Sequence, residues 1–197
     1  MRDTPGRLRE AAERLLAERP ASQISLRDIT EAAGANVASV GYHFGSKDAL
    51  LDEVVRLALT EVFEQQRDRL LQLPEDAALD DIVRAWVLPA FALPPADEAQ
   101  RGWKILQNAL TTPSPAVAGF LAEMAAPIQE HLIDRIARHV PGVPLAELWF
   151  RHTAVLAALG ALGRGPFVAM LAGADPDQVT DQLVAWIVGG LTASPAG

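Results

Sequence analysis

The stretch SLRDITEAAGANVASVGYHFGSKDALL, residues 25–51, decides how this chain is read. Ser25 is a candidate N-cap, and Asp28 three residues on makes an acidic capping box. Leu26, Ile29 and Ala33 recur at i, i+3 and i+7, one apolar stripe of a helix. Gly34 stands where a helix must end left-handed, a conformation that a Cβ penalises. Asn36 can cap a second helix anchored by Val40 and Phe44. Gly45-Ser46 breaks that helix, and Ser46 can cap a third running through Leu50 and Leu51.

Two short helices about a Gly turn have helix-turn-helix geometry, whose second helix enters a DNA major groove. The exposed face expected here is small and polar: Ala38, Ser39, Tyr42 and His43. Such a face suits close approach to base edges. An ordinary helical hairpin inside an all-α core fits the same pattern.

Outward from this stretch the chain reads as all-α. Ala, Leu, Glu and Arg dominate, half of the 197 residues are hydrophobic and there is one Tyr, a balance that favours helix over sheet. There is no Cys, so disulfides, thiolate metal sites and a Cys nucleophile are excluded. The N-terminus lacks the charged–apolar–small order of a secretion signal. The longest apolar run, Thr153 to Gly163, is too short to span a bilayer. A cytoplasmic protein without membrane contact is expected.

The net charge of −8 is unusual for a DNA binder, because phosphate neutralisation drives affinity. It is unevenly spread. Residues 1–56 hold 8 Lys/Arg against 9 Asp/Glu, and residues 57–197 hold 9 against 16. The acidic load therefore sits away from the proposed DNA face.

In chain order, Leu8, Ala12 and Leu15 form the stripe of a first helix that stops before Pro20. Arg2, Arg7 and Arg9 are read as solvated surface charge, with phosphate contact as the alternative. One long helix is expected from Lys47 to about Leu73. Further helices are expected over 79–93, ended or kinked at Pro89; 97–111; 116–140, kinked at Pro127; 145–172; and 176–192, opened by Asp175-Pro176. Pro141-Gly142-Val143-Pro144 is a turn. His131 and Asp134, an i, i+3 pair, offer at most one corner of a metal site, and no metal or cofactor is expected. There is no Gly-rich phosphate loop, Ser-His-Asp order or HExxH segment, so no catalytic residue is assigned and the chain is not read as an enzyme.

The segment AAGANVASVGYHFGSKDALL resembles the N-terminal domain of the TetR family of transcriptional regulators, over roughly Arg7 to Val55. The apolar-then-Gly turn, the aromatic-ended recognition helix and the SKDALL start of the next helix agree in order and spacing. The resemblance implies a three-helix DNA-binding domain with a helix-turn-helix at 1–50, and a larger helical ligand-binding and dimerisation domain at 51–197. It implies a homodimeric, ligand-responsive regulator, most simply a repressor, on a palindromic double-stranded DNA operator. The alternative is an all-α small-molecule or metal-binding protein, or an enzyme, with a degenerate helix-turn-helix.

Site residues follow position by position. Val37, Ala38 and Ser39 are candidates for base contact, and Tyr42 and His43 for bases or backbone. Lys47 resembles the family's phosphate-binding Lys at a helix N-terminus. Ser25 and Arg27 could hold the flanking phosphate, and Asn36 belongs to the same DNA-facing set. Phe44 and Leu50 are assigned to core. The chain departs from the family at the Pro20-Ala21-Ser22 loop, where Gly is frequent, at Thr30, where Ala is usual, and at Gly41, where Tyr is usual, with Tyr42 as substitute. The resemblance also implies a pocket for a small apolar or aromatic effector. Its candidate lining is Trp86, Phe91, Trp103, Phe120, Met124, Trp149, His152 and Phe167. In the family the last two helices pair with their symmetry mates, which here means residues 150–163 and 179–191. Small residues at Ala154, Ala157, Ala158, Gly160 and Ala161 would let helix axes approach there. Leu183, Trp186, Ile187, Gly190 and Leu191 form one stripe of the final helix.

Overall fold

A computed structural model describes residues 3–89, 102, 104–106, 108–109, 113–162 and 174–194. Among these residues every regular element is helical. The main helices are α1 (Thr4–Glu18), α2 (Leu26–Ala33), α3 (Val37–Phe44), α4 (Lys47–Gln72), α5 (Leu79–Val87), α6 (Pro115–Ala137), α7 (Leu145–Leu162) and α8 (Pro176–Thr192). Two compact units are drawn from them: Met1–Glu61 with Asp97–Glu123, and Val62–Ala96 with Met124–Gly197. The first unit thus takes in more than residues 1–50.

In the first unit α1 packs on α2 and α3, and α2 packs on α3. The core is made by Leu8, Ala11, Ala12, Leu16, Ile24, Ile29, Val40, Leu50, Leu51 and Val54, all buried. The caps explain where the helices begin and end. Ser25 Oγ accepts from the Asp28 amide at 3.1 Å, and the Asp28 carboxylate accepts from the Ser25 amide at 2.9 Å, closing the capping box. Gly34 ends α2 at φ 57°, in the left-handed region. Asn36 Oδ1 accepts from the Ala38 amide at 2.9 Å and starts α3. Ser46 Oγ accepts from the Ala49 amide at 3.0 Å and starts α4. Thr30 is buried, with its hydroxyl donating to the Arg27 carbonyl at 3.1 Å.

In the second unit α8 packs on α5 and α7. α5 ends at Val87, as the Pro89 ring demands. α6 runs through Pro127 and ends at Ala137. Gly142, at φ 101°, makes the turn before α7. Asp175 caps α8, with Pro176 at its first helical position. Three helical ranges read from sequence, 79–93, 97–111 and 145–172, extend into residues outside those described. Among the described residues no helix is long and apolar enough to cross a membrane.

Gly41 lies inside α3 and is exposed, and among the described residues nothing beyond its chain neighbours and the adjoining backbone of α3 lies within 4 Å of the place a Cβ would occupy. Gly41→Ala should therefore raise the stability of the first unit by about 1 kcal/mol in denaturant unfolding, through helix propensity alone. A loss of stability would mean that the interior of α3 is tighter than this geometry.

Candidate nucleic-acid interface and aromatic cluster

The recognition-type helix α3 is held by one buried keel. Val40 is 1% exposed, whereas Tyr42 is 86% and Val37 50% exposed. Ala38, Gly41 and His43 are exposed as well, and Ser39 is half-buried. The Tyr42 and His43 rings meet edge-on at 4.8 Å. Phe44, assigned to core, is half-buried, and the Arg9 guanidinium sits 5.3 Å over its ring. Leu50 is fully buried.

Around this helix the charged groups are already partnered. Arg27 pairs with Glu31 at 2.7 Å one turn along α2, which raises its pKa through that hydrogen bond and charge. Asp28 is held below the ordinary carboxylate range, first by the Ser25 amide, then by the Ser25 hydroxyl, and least by Arg19. Lys47 is half-buried, and its ammonium donates to the Ile24 carbonyl at 3.0 Å and lies 3.3 Å from Asp48. This places its charge beside the Ser25 cap, at the entry to α2.

Arg7 and Arg9 require a correction: neither is plain solvated charge. Arg7 donates to the Ala33 and Gly34 carbonyls at 3.1 and 3.2 Å. The end of α2 leaves carbonyls without helical partners and carries a partial negative charge, and a guanidinium answers both. Arg9 bonds Glu53 at 2.6 Å besides covering Phe44. Both arginines thus fix the helix-turn-helix against its neighbours. No local signal marks them, because their partners lie 26 and 44 residues away.

The candidate ligand residues divide. Phe91, Trp103 and Phe167 lie outside the described residues. Phe120 belongs to the first unit, half-buried with the Arg56 guanidinium 4.7 Å over its ring. Met124 is half-buried in the second unit. Trp86, Trp149 and His152 form one cluster there. The His152 imidazole stacks on Trp86 at 4.9 Å and 22°, and meets Trp149 edge-on at 5.7 Å and 83°. His152 is 2% exposed, and burial pushes its pKa down to about 4. The ring is therefore neutral at physiological pH.

Two buried polar side chains found only in the structure brace this unit. Gln66 Nε2 donates to the Trp86 carbonyl at 2.6 Å. Arg135 donates to the carbonyls of Leu70 (2.7 Å), Leu73 and Pro74, at the exit of α4. His131 and Asp134 are both exposed, and among the described residues no three His, Asp or Glu side chains group as metal ligands.

Large apolar side chains of the second unit stand open on α7 and α8, as does Leu71 on α4. Phe150 is 72%, Leu156 41% and Trp186 55% exposed. Ala154, Ala157 and Ala161 are exposed along the same helix as Phe150. The single stripe read on the final helix divides: Leu183, Ile187 and Leu191 are buried, while Trp186 and Gly190 face outward.

Residues 8–54 match the family model "Bacterial regulatory proteins, tetR family", and residues 84–190 match "Tetracyclin repressor-like, C-terminal domain". The HTH-type transcriptional repressor KstR2 of Rhodococcus jostii is 38% identical over 61 residues, which is 31% of this chain and 30% of that protein. This chain therefore spans about a third of that relative's length. Among solved structures, the TetR family transcriptional regulator PfmR from Thermus thermophilus superposes with a TM-score of 0.67 at 20% identity, covering 100% of both chains. The ketosteroid transcriptional regulator KstR2 of Mycobacterium tuberculosis does so with a TM-score of 0.61 at 20% identity, over 98% of this chain and 97% of that one. With family models matched over both its helix-turn-helix and its C-terminal helices, the chain belongs to the tetR family of bacterial regulatory proteins.

Proposed function

We propose that this protein is a ligand-responsive transcriptional repressor that binds a palindromic operator as a homodimer. The observation that carries the reading is the α3 surface: Val40 anchors the helix while Ala38, Tyr42 and His43 stand clear of the fold. Val37, Ala38 and Ser39 read base edges, and Tyr42 and His43 reach bases or backbone. Lys47, Ser25, Arg27 and Asn36 hold flanking phosphate, with the amides at the starts of α2 and α4 as further donors. DNA reading falls to about residues 1–50, and effector binding and dimerisation to 51–197. A protein that works on DNA in a bacterium is assigned to the cytoplasm.

Support for repression comes from the curated relative, which is named a repressor. Support for a dimer comes from Phe150, Leu156 and Trp186, large apolar side chains exposed on two adjoining helices. A C₂ pairing of α7 and α8 with their symmetry mates would cover them. Effector binding by an apolar or aromatic compound is assigned to the second unit around Trp86, Trp149 and His152. An effector that favours the dimer form whose helix spacing misfits DNA would release the operator. The family assignment weighs against the alternative of an enzyme or metal-binding protein.

An electrophoretic mobility assay against the region upstream of the protein's own gene tests the reading. A folded dimer that gives no shift at low salt overturns it. Within it, Lys47→Ala should weaken binding to all sequences and flatten the salt dependence by about one unit of slope. Ser39→Ala should instead relax preference at one base position. Equal loss on every sequence for both variants would show that reading and positioning are not divided as assigned.

A further inference from the structure

His152 is the described polar side chain whose burial the fold leaves least explained. It is 2% exposed, and its Nε2 has no hydrogen-bond partner among the described residues. Buried polar atoms are nearly always satisfied, and each exception calls for a water, a ligand or a functional cause. The surroundings limit what that partner can be. Trp86 is stacked on the imidazole, and the Trp149 ring stands nearly perpendicular to it. One face of the imidazole is thus covered by an indole, and Nε2 lies buried on its rim. The Arg151 guanidinium on the same helix is taken by the Leu191 carbonyl and the Glu147 carboxylate, so it brings no spare positive charge.

Resting on the effector reading above, we propose that His152 Nε2 is the polar anchor for a neutral, hydroxyl-bearing aromatic ligand lodged against Trp86 and Trp149. A hydroxyl both donates and accepts, so it serves either neutral tautomer of the imidazole, whereas a carbonyl serves only the one protonated at Nε2. An anion would need a cation, and Trp86, Trp149 and His152 bring none, the ring of His152 being neutral. Two indoles beside a neutral imidazole favour a planar apolar body, through offset or edge-on ring contacts. A site built to bond a hydroxyl discriminates against an analogue lacking it, because the buried nitrogen is then left unpaired.

The test uses the full chain and two matched probes, 4-ethylphenol and ethylbenzene. Isothermal titration should give at least about tenfold tighter binding of the phenol. The His152 Nε2 resonance in a long-range ¹H–¹⁵N spectrum should move with the phenol and not with ethylbenzene. His152→Phe keeps a ring of similar shape against Trp86 and should bring the two probes within about twofold of each other. Equal affinities in the wild type, an unmoved Nε2 resonance, or a preference retained by His152→Phe would each overturn the assignment. The resonance needs no variant, so a poorly folded His152→Phe leaves the proposal exposed to refutation. A mobility shift on the same preparation reports on the regulator reading separately. A shift with equal probe binding removes the role of His152 alone, and a probe preference without a shift supports that role while removing the DNA reading.

Discussion

Trp186→Glu is expected to convert the protein to a monomer at micromolar concentration and to lower its affinity for a palindromic operator by a factor of roughly 10² to 10⁴. The reason lies in which face of α8 the side chain occupies. Leu183, Val184, Ile187 and Leu191 are buried, so the unit's own core is closed on that side of the helix. Trp186 is 55% exposed on the other side, beside the exposed Gly189 and Gly190. A carboxylate there leaves the buried row of the helix in place but stands on the apolar surface that a partner must desiccate, and its symmetry mate doubles the like charge. Each recognition helix alone reads a half-site; linking two makes the second binding event intramolecular, and that gain is what the variant forfeits. Light scattering reports the monomer, circular dichroism the retained helices, and a mobility assay the lost affinity. A Trp186→Glu protein that remains dimeric would place the interface away from α8.

What could be read from the sequence was whatever is settled within a few residues. Ser25 with Asp28, Asn36, Ser46 and Asp175 all cap helices where their side-chain chemistry requires. Gly34 and Gly142 take the positive φ that other residues avoid. Pro89 marks the end of α5 because it cannot continue the hydrogen-bond ladder. The alternation of Val40 with its exposed neighbours in α3 was likewise local. The contacts that join distant parts of the chain were not legible. Arg7 answers carbonyls at Ala33 and Gly34, Arg135 those of Leu70, Leu73 and Pro74, and His152 stacks on Trp86. An arginine bound to backbone carries no mark of it in its own neighbourhood. The final helix shows the limit of periodicity from another side. Leu183 and Ile187 are buried while Trp186, only one residue away from Ile187, is not, because Val184 joins the buried row and rotates it away from Trp186. Helical period fixes the width of a stripe but not its bearing.

Ile29→Ala and Tyr42→Ala should separate fold from function in the first unit. Ile29 is 0% exposed, between the capping box and Gly34, in the helix that α1 and α3 pack against. Its truncation removes three carbons from a closed core and should cost about 2–5 kcal/mol, read as an earlier denaturation midpoint of that unit. DNA binding would fall only in proportion to the protein unfolded, and a temperature at which the variant is native should restore it. Tyr42 is 86% exposed, and its described ring contact is with His43 on the same helix. Tyr42→Ala should leave stability within about 0.5 kcal/mol of the wild type. Its loss of DNA affinity should amount to roughly 1–3 kcal/mol, the range of one good contact to a base edge, and cooling should not restore it. The two variants thus move opposite observables. If Tyr42→Ala bound DNA as the wild type does, the exposed Tyr would have no part in recognition, and Val37, Ala38, Ser39 and His43 would have to carry the reading of bases. If it melted as Ile29→Ala does, Tyr42 would be part of the core after all, and α3 would lack the free face on which the DNA reading depends.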